Sequence, residues 1–468
     1  MRKFCIILLV LWLTVGCFGV PVSAETITSE NNCSGIDATN AIVENKVITN
    51  ATSALVFECN SETLMYADNI DERMYPASFV KVMTALLAIE RGTLDDTVTV
   101  TKEALSTVSA GAVSVKLQVG EKLTLKDLIY CMLTGSANDA ASVIAVHIGG
   151  NVDGFVSMMN SRALELGCKD TNFVDPHGLQ SKNQYTTARD MVRILRCATQ
   201  LVVFADIFGA VSYTLPATNL SDARELRTAN YITDPTQDKY YDSRVTGGRT
   251  GVAADQTRCV AATASNGNLK VIAVVFGAKS KFAADKYTVE HYGGFREISK
   301  LLDETLSAYQ IAQVFYHDQI LAQKTVINGD NDLVLVPAEA KTVVIPKGID
   351  VKDITYRYLD DGKAYQAPIA EGTVQTCVEV WYGGKCLAKV DLLARNSVAV
   401  ASSKLVVPEQ KEKDDFPWHY IILPIIAAVG FLTVLYLRRV RANRRKKAAR
   451  RRNAGRRDRN VGTPTKRM

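Results

Sequence analysis

The chain has 468 residues, of which 47% are hydrophobic, 22% charged and 7% aromatic. This composition is globular and supplies enough apolar side chains for one sizeable core and a second, smaller one. It excludes a wholly disordered chain, a collagen and a transporter with many membrane spans.

The formal net charge of +6 is concentrated at the C-terminus. Residues 438–468 hold 15 of the 55 basic residues and one of the 49 acidic residues. The rest of the chain carries 40 basic and 48 acidic residues and is therefore mildly acidic. We expect no nucleic-acid partner, because the folded part has no excess of positive charge.

Residues 1–24 have the pattern of a secretory signal peptide. Arg2 and Lys3 precede an apolar stretch over 4–20, and the small residues 22–24 form a cleavage site. An uncleaved N-terminal anchor and lipidation at Cys17 are the alternatives to a cleaved signal.

A second apolar segment lies near the C-terminus. Residues 418–437 carry no formal charge over twenty positions, which is enough for a helix to span about 30 Å of hydrocarbon. The basic residues that follow predict a cytoplasmic tail over 438–468, in contact with anionic lipid. We therefore expect a single-pass protein of the cell membrane, with an extracytoplasmic domain joined by a charged linker (409–417) to a C-terminal transmembrane helix.

The ten cysteines and five histidines of the chain show no metal-binding pattern. The cysteines form no CxxC pair, and no HExxH occurs, so we expect neither a metal nor another cofactor. Pairing of Cys33 with Cys59 is one alternative outside the cell, but mostly buried thiols are the better interpretation.

Hydrophobic periodicity and turn residues divide the exported part into three segments. A polar leader (25–52) precedes a larger domain (53–312) and a small β-rich domain (314–408). In chain order, the larger domain is predicted to hold a hairpin of strands 53–58 and 63–66, a buried helix over 76–90, a capped helix over 124–133, a helix over 139–148, a strand at 249–251, a hairpin of strands 258–264 and 269–276, and a helix over 295–311.

Ser78 and Lys81 form the first candidate catalytic pair. Their spacing near the start of a buried helix places the hydroxyl and the amine on one helical face. Burial disfavours the ammonium form, so such a lysine can become neutral and take a proton from serine. Alone the pattern is weak, because a capping serine beside a solvent-directed lysine has the same spacing.

Two further polar groups follow along the chain. Ser136 and Asn138 lie in the break between two predicted helices, where a hydroxyl and an amide can relay protons and bind a substrate amide. Arg249, Thr250 and Gly251 lie on a predicted strand, where a cation, a hydroxyl and a residue without a side chain suit the docking of a peptide carboxylate. Taken alone, Ser136 and Asn138 are also compatible with ordinary polar residues of a loop. Residues 249–251 alone are also compatible with the end of a strand that has no functional role.

Together, the order SxxK, SxN and [K/R]TG matches the motif set of penicillin-binding serine enzymes. Segments 76–90, 135–141 and 175–179 closely resemble the serine-type D-Ala-D-Ala carboxypeptidases, the low-molecular-weight penicillin-binding protein family, and the resemblance covers about residues 53–408. It implies an α+β fold: an antiparallel sheet with helices on both faces plus a helical lobe (penicillin-binding/β-lactamase-like), followed by a small all-β domain and, from the apolar segment, a single transmembrane helix.

The resemblance also implies roles for individual residues. Ser78 would be the acylated nucleophile, Lys81 its general base and Ser136 part of the proton relay. Asn138 would bind substrate, and the oxyanion hole would use the backbone N–H of Ser78 and one from the strand after Gly251.

The resemblance places Arg249 and Thr250 at the terminal carboxylate of the substrate, with Gly251 beside them. The family has lysine where this chain has Arg249, and its usual sequence after the motif is replaced over 252–258. Arginine keeps the charge but cannot shuttle a proton, so carboxylate recognition is expected to survive better than turnover. For His177, in a family-like Pro-His-Gly turn, a structural role is favoured over a catalytic one.

The leading hypothesis is a membrane-anchored extracytoplasmic carboxypeptidase. It would remove the terminal D-alanine from peptidoglycan stem peptides ending in D-Ala-D-Ala, through an acyl-serine intermediate, and β-lactam antibiotics would act as acylating inhibitors. A penicillin- or muropeptide-binding pseudoenzyme is the non-enzyme alternative, supported only by Arg249 and its altered flank. A β-lactamase is disfavoured by the β-rich domain, the anchor and the absence of an evident deacylating glutamate loop.

Overall fold

The fold is taken from a computed structural model of the chain. The chain divides into two compact units. The first, which contains most of the folded part, comprises residues 1–324, 333–363 and 370–396. The second comprises residues 325–332, 364–369 and 397–468. The structure describes residues 36, 41–43, 47–48, 50–179, 181–253, 255–283, 289–360, 362, 364–401 and 419–457.

The described elements alternate between strands and helices in the first 306 residues. The strands of this part are β1 (Ser53–Glu58), β2 (Thr63–Asp68), β3 (Thr97–Thr99), β4 (Lys122–Thr124), β5 (Ser212–Leu215), β6 (Arg224–Arg227), β7 (Val245–Val252), β8 (Arg258–Ser265), β9 (Lys270–Ala278), β10 (Lys281–Phe282) and β11 (Val289–His291). The helices are α1 (Val80–Arg91), α2 (Lys102–Ser106), α3 (Leu125–Leu133), α4 (Asn138–Gly149), α5 (Val152–Glu165), α6 (Ala188–Thr199), α7 (Val202–Gly209) and α8 (Gly293–Leu306).

A five-stranded antiparallel sheet forms the centre of the first unit, in the order β2-β1-β9-β8-β7. The β1–β2 and β8–β9 hairpins confirm the predicted pairings. β1 and β9 are apolar on both faces and almost wholly buried, because helices cover both sides of the sheet. β7 is an edge strand, so one side of its backbone is left without a strand partner within this sheet.

The two faces of the sheet pack into two separate cores. On one face, Phe57, Ile272 and Phe276 lie in a core shared with residues of α1 and α6. On the other, Val56 and Val275 lie in a core shared with residues of α8. Complete burial of each such side chain stabilises the fold by about 1.5–3 kcal/mol. The α+β fold with helices on both faces is thus confirmed.

Helices α1 to α5 form the predicted helical lobe, and their local signals match the structure. Thr124 and Asp127 make the capping box at the start of α3, with the Thr124 hydroxyl accepting from the Asp127 N–H at 3.0 Å. α1 is buried along nearly its whole length, which explains why its sequence is apolar on all sides. The helix predicted over 139–148 spans Asn138–Gly149.

The prediction is wrong over 307–311, where a helix was expected. Helix α8 ends at Leu306, and a strand begins at Tyr309 and pairs with another strand ending at Pro346. From here on the described chain is β-rich, and its strands are β12 (Tyr309–Phe315), β13 (Ala322–Lys324), β14 (Val326–Ile327), β15 (Leu333–Pro337), β16 (Lys341–Pro346), β17 (Thr355–Tyr358), β18 (Tyr365–Gln366), β19 (Val374–Tyr382) and β20 (Lys385–Ala394).

Most strands of this region join one sheet, in the order β13-β15-β20-β19-β17, and β12 pairs with β16. Each of these pairs is antiparallel. Val378, Val380 and Leu392 are buried at alternate positions of β19 and β20, which is the pattern of strands with one covered face. The C-terminal β-rich domain is therefore confirmed as a fold, whereas the boundaries predicted for all domains stay predictions.

The second unit contains the parallel pair β14–β18 and a long helix, α9 (His419–Arg457). Among the residues that the structure describes, no helix combines the length and the hydrophobicity that a membrane span needs. The transmembrane helix predicted over 418–437 is therefore not confirmed. The signal peptide (1–24) and most of the polar leader (25–52) and the linker (409–417) lie outside the described residues.

Several cysteines of the described part are buried, as the sequence analysis expected. Burial raises the pKa of the Cys259 thiol to about 12, so this thiol is protonated at neutral pH. Cys33, in the alternative pair with Cys59, lies outside the described residues. The buried cysteines are Cys131, Cys168, Cys197 and Cys259.

Candidate active site

The turn that carries Ser78 is strained and tightly packed. Residues Ala77–Phe79 form one turn of 3-10 helix directly before α1, and Pro76 precedes it. Ala77 has a φ of 46°, in the left-handed region that non-glycine residues rarely adopt. Such strain persists only where the surroundings hold it, and it is frequent at active sites. The turn presents Ser78 at the start of a buried helix.

Lys81 lies one turn after Ser78 and is almost completely buried. Its Nζ donates to Asn138 Oδ1 at 2.7 Å and to the carbonyl oxygen of His177 at 2.5 Å. Burial, and then the positive charge of Arg249, hold the pKa of Lys81 well below its usual value, against the smaller opposite effects of Asp175 and Asp139. The lowered pKa makes the Lys81 amine easier to deprotonate than an exposed lysine, and the two hydrogen bonds fix its position.

The second motif occupies the sharp turn between α3 and α4. Ser136 has a φ of 57°, and α4 begins at Asn138, which is buried. The Asn138 side chain accepts the hydrogen bond from Lys81, and the Ser136 hydroxyl accepts one from Arg249 at 2.8 Å. The structure thus brings the first and second motifs together, as predicted from their order in the sequence.

Arg249, on β7, joins all three motifs. Its guanidinium donates to the carbonyl oxygen of Leu133, to Ser136 Oγ at 2.8 Å and to the carbonyl oxygen of Ser78 at 3.4 Å. Burial lowers the pKa of Arg249 to about 10, so the side chain stays charged at neutral pH. Arg249 therefore acts as a charged crosslink between the Ser78 turn (Ala77–Phe79), the end of α3 and the second motif.

Gly251 and Thr250 lie on opposite faces of β7. A Cβ at Gly251 would lie 2.8 Å from Ala77 Cβ and 2.9 Å from the Ser78 nitrogen, so only glycine lets the strand approach the Ser78 turn this closely. Thr250, in contrast, donates to the carbonyl oxygen of Cys259 at 3.1 Å and accepts from Arg258 at 3.0 Å. Its hydroxyl does not contact Arg249, with which the motif groups it.

The Asp175–Leu179 turn makes contacts with α1 that no motif in the sequence indicates. The His177 carbonyl oxygen accepts a hydrogen bond from Lys81, as described above. In addition, the Pro176 carbonyl oxygen accepts one from Thr84 Oγ1 at 2.6 Å. Asp175 Oδ1 accepts from the backbone N–H groups of His177 and Gly178, at 2.8 and 2.5 Å, and lies 2.9 Å from His177 Nδ1. His177 thus has structural contacts, as favoured from the sequence.

Burial acts to raise the pKa of Asp175, but hydrogen bonds and charge from His177, together with the backbone N–H of Gly178, outweigh it and hold that pKa below its usual value. The carboxylate therefore stays ionised and fixes the turn against α1. Gly178, with a φ of 86°, is required there, because a Cβ would lie 1.9 Å from the carbonyl oxygen of Ala77.

Asp139 is a second residue that the motifs alone did not single out. It is buried in the first turn of α4, and its carboxylate accepts from Ser114 Oγ at 2.6 Å and from the backbone N–H groups of Val115 and Leu117 at 3.3 and 3.0 Å. These bonds tie the loop before β4 to the second motif. An aspartate directly after SxN, at a helix start, is the sequence signal that could have indicated this role.

Nothing in the described ranges suggests a metal centre, since no group of three or more His, Cys, Asp or Glu side chains converges there on one point. The chemistry available at the site is that of a serine hydroxyl, a buried amine and a buried guanidinium. Such a set suits nucleophilic transfer of an acyl group to serine, with the amine as base.

Two family profiles match the chain. The D-alanyl-D-alanine carboxypeptidase profile of the S11 peptidases matches residues 39–280, about half of the chain. The C-terminal domain profile of penicillin-binding protein 5 matches residues 309–400.

Individual relatives agree with these profiles. The chain is 28% identical over 359 residues to the D-alanyl-D-alanine carboxypeptidase DacF of Bacillus subtilis, which covers 75% of this chain and 86% of the relative. It is 27% identical over 360 residues to DacC of Escherichia coli, over 74% of this chain and 84% of the relative. Penicillin-binding protein 5 of Haemophilus influenzae superimposes with a TM-score of 0.66 and 28% identity, over 76% of this chain and 99% of that structure.

Proposed function

Because the chain belongs to the D-alanyl-D-alanine carboxypeptidase family of serine peptidases, we propose that it removes the terminal D-alanine from peptidoglycan stem peptides outside the cytoplasm. The observation that carries the proposal is the buried Lys81, whose amine is held by Asn138 and by the His177 carbonyl at the start of the helix that follows Ser78. The relatives' names support the reaction, and the amine supplies the base that the reaction needs.

In the acylation step, Ser78 Oγ attacks the carbonyl carbon of the penultimate D-alanine. The hydroxyl proton passes to neutral Lys81, and the C–N bond of the terminal residue breaks. The departing amine takes up a proton from the Lys81 ammonium, relayed by Ser136, so that D-alanine leaves and Lys81 becomes neutral again. The close approach of Gly251 to the Ser78 nitrogen supports an oxyanion hole built from Ser78 and the strand after Gly251.

In the deacylation step, water attacks the acyl-serine. Lys81 again accepts the proton, and the ester bond breaks to release the shortened peptide and restore the Ser78 hydroxyl. The overall reaction consumes one water for each D-alanine released. Asn138 and the edge of β7 would hold the peptide during both steps.

The same site explains the proposed sensitivity to β-lactams. A β-lactam presents a strained amide and a nearby carboxylate, so it would acylate Ser78 by the same attack. Its leaving group stays attached to the acyl part, which leaves less room for the hydrolytic water. We therefore propose penicillins as covalent inhibitors of this chain.

Release of D-alanine from a diacyl-L-Lys-D-Ala-D-Ala peptide tests the proposed function. The proposal predicts steady release that a penicillin blocks. Acylation by a labelled penicillin without any release would favour the pseudoenzyme, which Arg249 in place of lysine supports. Rapid turnover of the penicillin itself would favour a β-lactamase.

Membrane anchoring is a separate proposal, supported by the sequence alone. The uncharged run over 418–437 and the 15 basic residues after it favour a C-terminal anchor with its tail in the cytoplasm. A chain that ends near Asp415 should be exported and should no longer sediment with membranes after a salt wash. Continued sedimentation would point to an uncleaved signal or to lipidated Cys17.

A further inference from the structure

Two successive carbonyl groups of the Asp175–Leu179 turn accept hydrogen bonds from side chains of α1. The carbonyl of Pro176 accepts from Thr84 Oγ1 at 2.6 Å. The next carbonyl, that of His177, accepts from Lys81 Nζ at 2.5 Å. Lys81 and Thr84 are three residues apart on α1, so their side chains lie on one face of the helix. One helical face therefore binds two neighbouring peptide groups of the turn.

The two acceptors of Lys81 determine the direction of its lone pair when the amine is neutral. A neutral amine has two N–H groups and one lone pair. Asn138 Oδ1 and the His177 carbonyl oxygen can only accept, so each of them takes one N–H group. The lone pair is left for the third direction, and the proposed mechanism needs it to face the Ser78 hydroxyl. The place of the His177 carbonyl therefore decides where the base points.

The His177 carbonyl lies between two further anchors of the same turn. On one side, Thr84 holds the carbonyl of Pro176. On the other side, the Tyr75 hydroxyl donates to the carbonyl of Gly178 at 2.8 Å. Burial raises the pKa of Tyr75, so the phenol keeps its proton and donates at neutral pH. The middle carbonyl is therefore fixed from both sides.

Thr84 supports the turn from inside α1, where it is completely buried. Its hydroxyl has one hydrogen to donate, and it lies 2.6 Å from the Pro176 carbonyl oxygen but 3.4 Å from that of Val80. The shorter bond is the stronger one, so the hydroxyl serves the turn and not its own helix. Pro176 is buried as well, and a buried carbonyl that loses its donor is costly. Loss of the Thr84 hydroxyl should therefore shift the turn.

We infer that Thr84 is a positioning residue of the reaction, whose hydroxyl holds the turn so that the His177 carbonyl directs the lone pair of Lys81 toward Ser78. This inference rests on the proposed function and adds to it a residue outside the three motifs. Thr84 acts through Lys81 and keeps its own proton throughout the reaction. Its effect is therefore on the rate at which the nucleophile is activated.

The test removes the Thr84 hydroxyl and keeps the shape of the side chain. Thr84→Val does this, and Thr84→Ser keeps the hydroxyl on a smaller side chain. The matched control is Thr305→Val, because Thr305 is also completely buried in a helix and donates at 2.6 Å, but to the Leu301 carbonyl of its own helix α8. The full-length proteins react with a fluorescent penicillin, and the rate constant of labelling and its final amplitude are measured separately.

We expect the rate constant of Thr84→Val to fall roughly 10- to 100-fold with an unchanged amplitude, since a displacement of about 1 Å in a reacting group costs up to this much. Thr84→Ser should recover most of the rate, and Thr305→Val should label at the rate of the unchanged protein. A purely structural role would lower the amplitude, because unfolded protein is not labelled, and would leave the rate constant intact. That result, or equal rate losses in Thr84→Val and Thr305→Val, would overturn the inference.

Failure of the proposed function is distinguishable from failure of this inference. Labelling of the unchanged protein without D-alanine release would contradict the proposed function, and the labelling rates would still decide the role of Thr84. If the unchanged protein is not labelled at all, crystal structures of this protein and of Thr84→Val decide that role. A distance from Lys81 Nζ to the His177 carbonyl oxygen that lengthens beyond about 3.5 Å in the variant would support the inference. An unchanged distance of 2.5 Å would overturn it.

Discussion

The site holds two buried basic side chains, Lys81 at the start of α1 and Arg249 on β7. Burial is the first cause of a lowered pKa in both. The pKa of Lys81 falls well below its usual value, whereas that of Arg249 falls only to about 10. Their hydrogen-bond partners differ as well. Lys81 donates to a side-chain amide oxygen and to a backbone carbonyl oxygen. Arg249 donates to oxygens in three separate segments of the chain.

The same burial has different consequences for the two side chains. A lysine amine can lose its proton, so burial favours the neutral form, which is able to act as a base. A guanidinium keeps its proton at neutral pH, so burial converts it into a permanent charged crosslink. The substitution of arginine for the family's lysine is therefore compatible with a working site as long as the third motif positions groups and does not move protons.

Loss of the nucleophile should have the largest effect. We expect Ser78→Ala to lose covalent labelling by penicillin and to lower D-alanine release by on the order of 10⁴-fold or more. Peptide mapping of the labelled protein should find the adduct on Ser78. The control Ser106→Ala changes an exposed serine of α2 and should label normally. Labelling of the Ser78→Ala variant at another serine would show that Ser78 is not the nucleophile.

Exchange of one buried basic side chain, Lys81, for arginine should have the next largest effect. Lys81→Arg keeps the burial but places a permanently charged group where the proposed mechanism needs a neutral amine, so acylation should slow by roughly 10²- to 10⁴-fold. Penicillin acylation rates measured by stopped flow check this. Lys122→Arg, at an exposed position of β4, should acylate like the unchanged protein. A normal rate in Lys81→Arg would show that Lys81 is not the base.

Replacement of the other basic side chain, Arg249, by lysine should be tolerated. Arg249→Lys keeps a cation between the motifs and should retain most of the D-alanine release, whereas Arg249→Ala removes it. Loss of a charged partner of this kind costs about 2–5 kcal/mol, or roughly 30-fold to several thousand-fold in kcat/KM. If Arg249→Lys markedly accelerates the enzyme, the third motif moves protons after all. Equal activity of Arg249→Ala would mean that the crosslink is dispensable.

A smaller effect, on stability, is expected at Gly178. This residue lies in the turn whose His177 carbonyl accepts a hydrogen bond from Lys81. Gly178→Ala combines a strained φ of 86° with a clash against the Ala77 carbonyl and should lower the free energy of unfolding by about 2–4 kcal/mol. Urea unfolding measures it. Gly111→Ala has a similar φ of 81° in open space and should cost only about 1 kcal/mol. Equal losses in the two variants would mean that the turn does not pack on Ser78.

The parts of this site that the sequence predicts are the local ones. A capping box at Thr124 and apolar residues on every side of α1 act within a few residues of the chain, so their helices are found correctly. The motif order also predicts that Ser136, Asn138 and Arg249 meet near Ser78. The helix predicted through 311 fails because the change from α8 to β12 depends on pairing with β16, more than 30 residues later.

The other contacts arise from distant parts of the chain. The carbonyl that accepts from Lys81 is supplied 96 residues later by His177, and any residue type carries a backbone carbonyl. Similarly, the place of Arg258 between Thr250 and the rings of α8 follows from the pairing of β7 with β8 and the packing of α8 on the sheet. Such contacts require the folded chain, because no spacing in the sequence encodes them.

The pH dependence of acylation tests most directly whether a neutral Lys81 activates Ser78. The amine is reactive only when deprotonated, so the rate of labelling by a fluorescent penicillin should rise with pH through the pKa of Lys81 and then level off. Because that pKa is well below its usual value of 10.5, the account predicts a plateau that begins well below pH 10. A rate that keeps rising tenfold per pH unit up to about pH 10 would show a lysine with an ordinary pKa and would contradict the account.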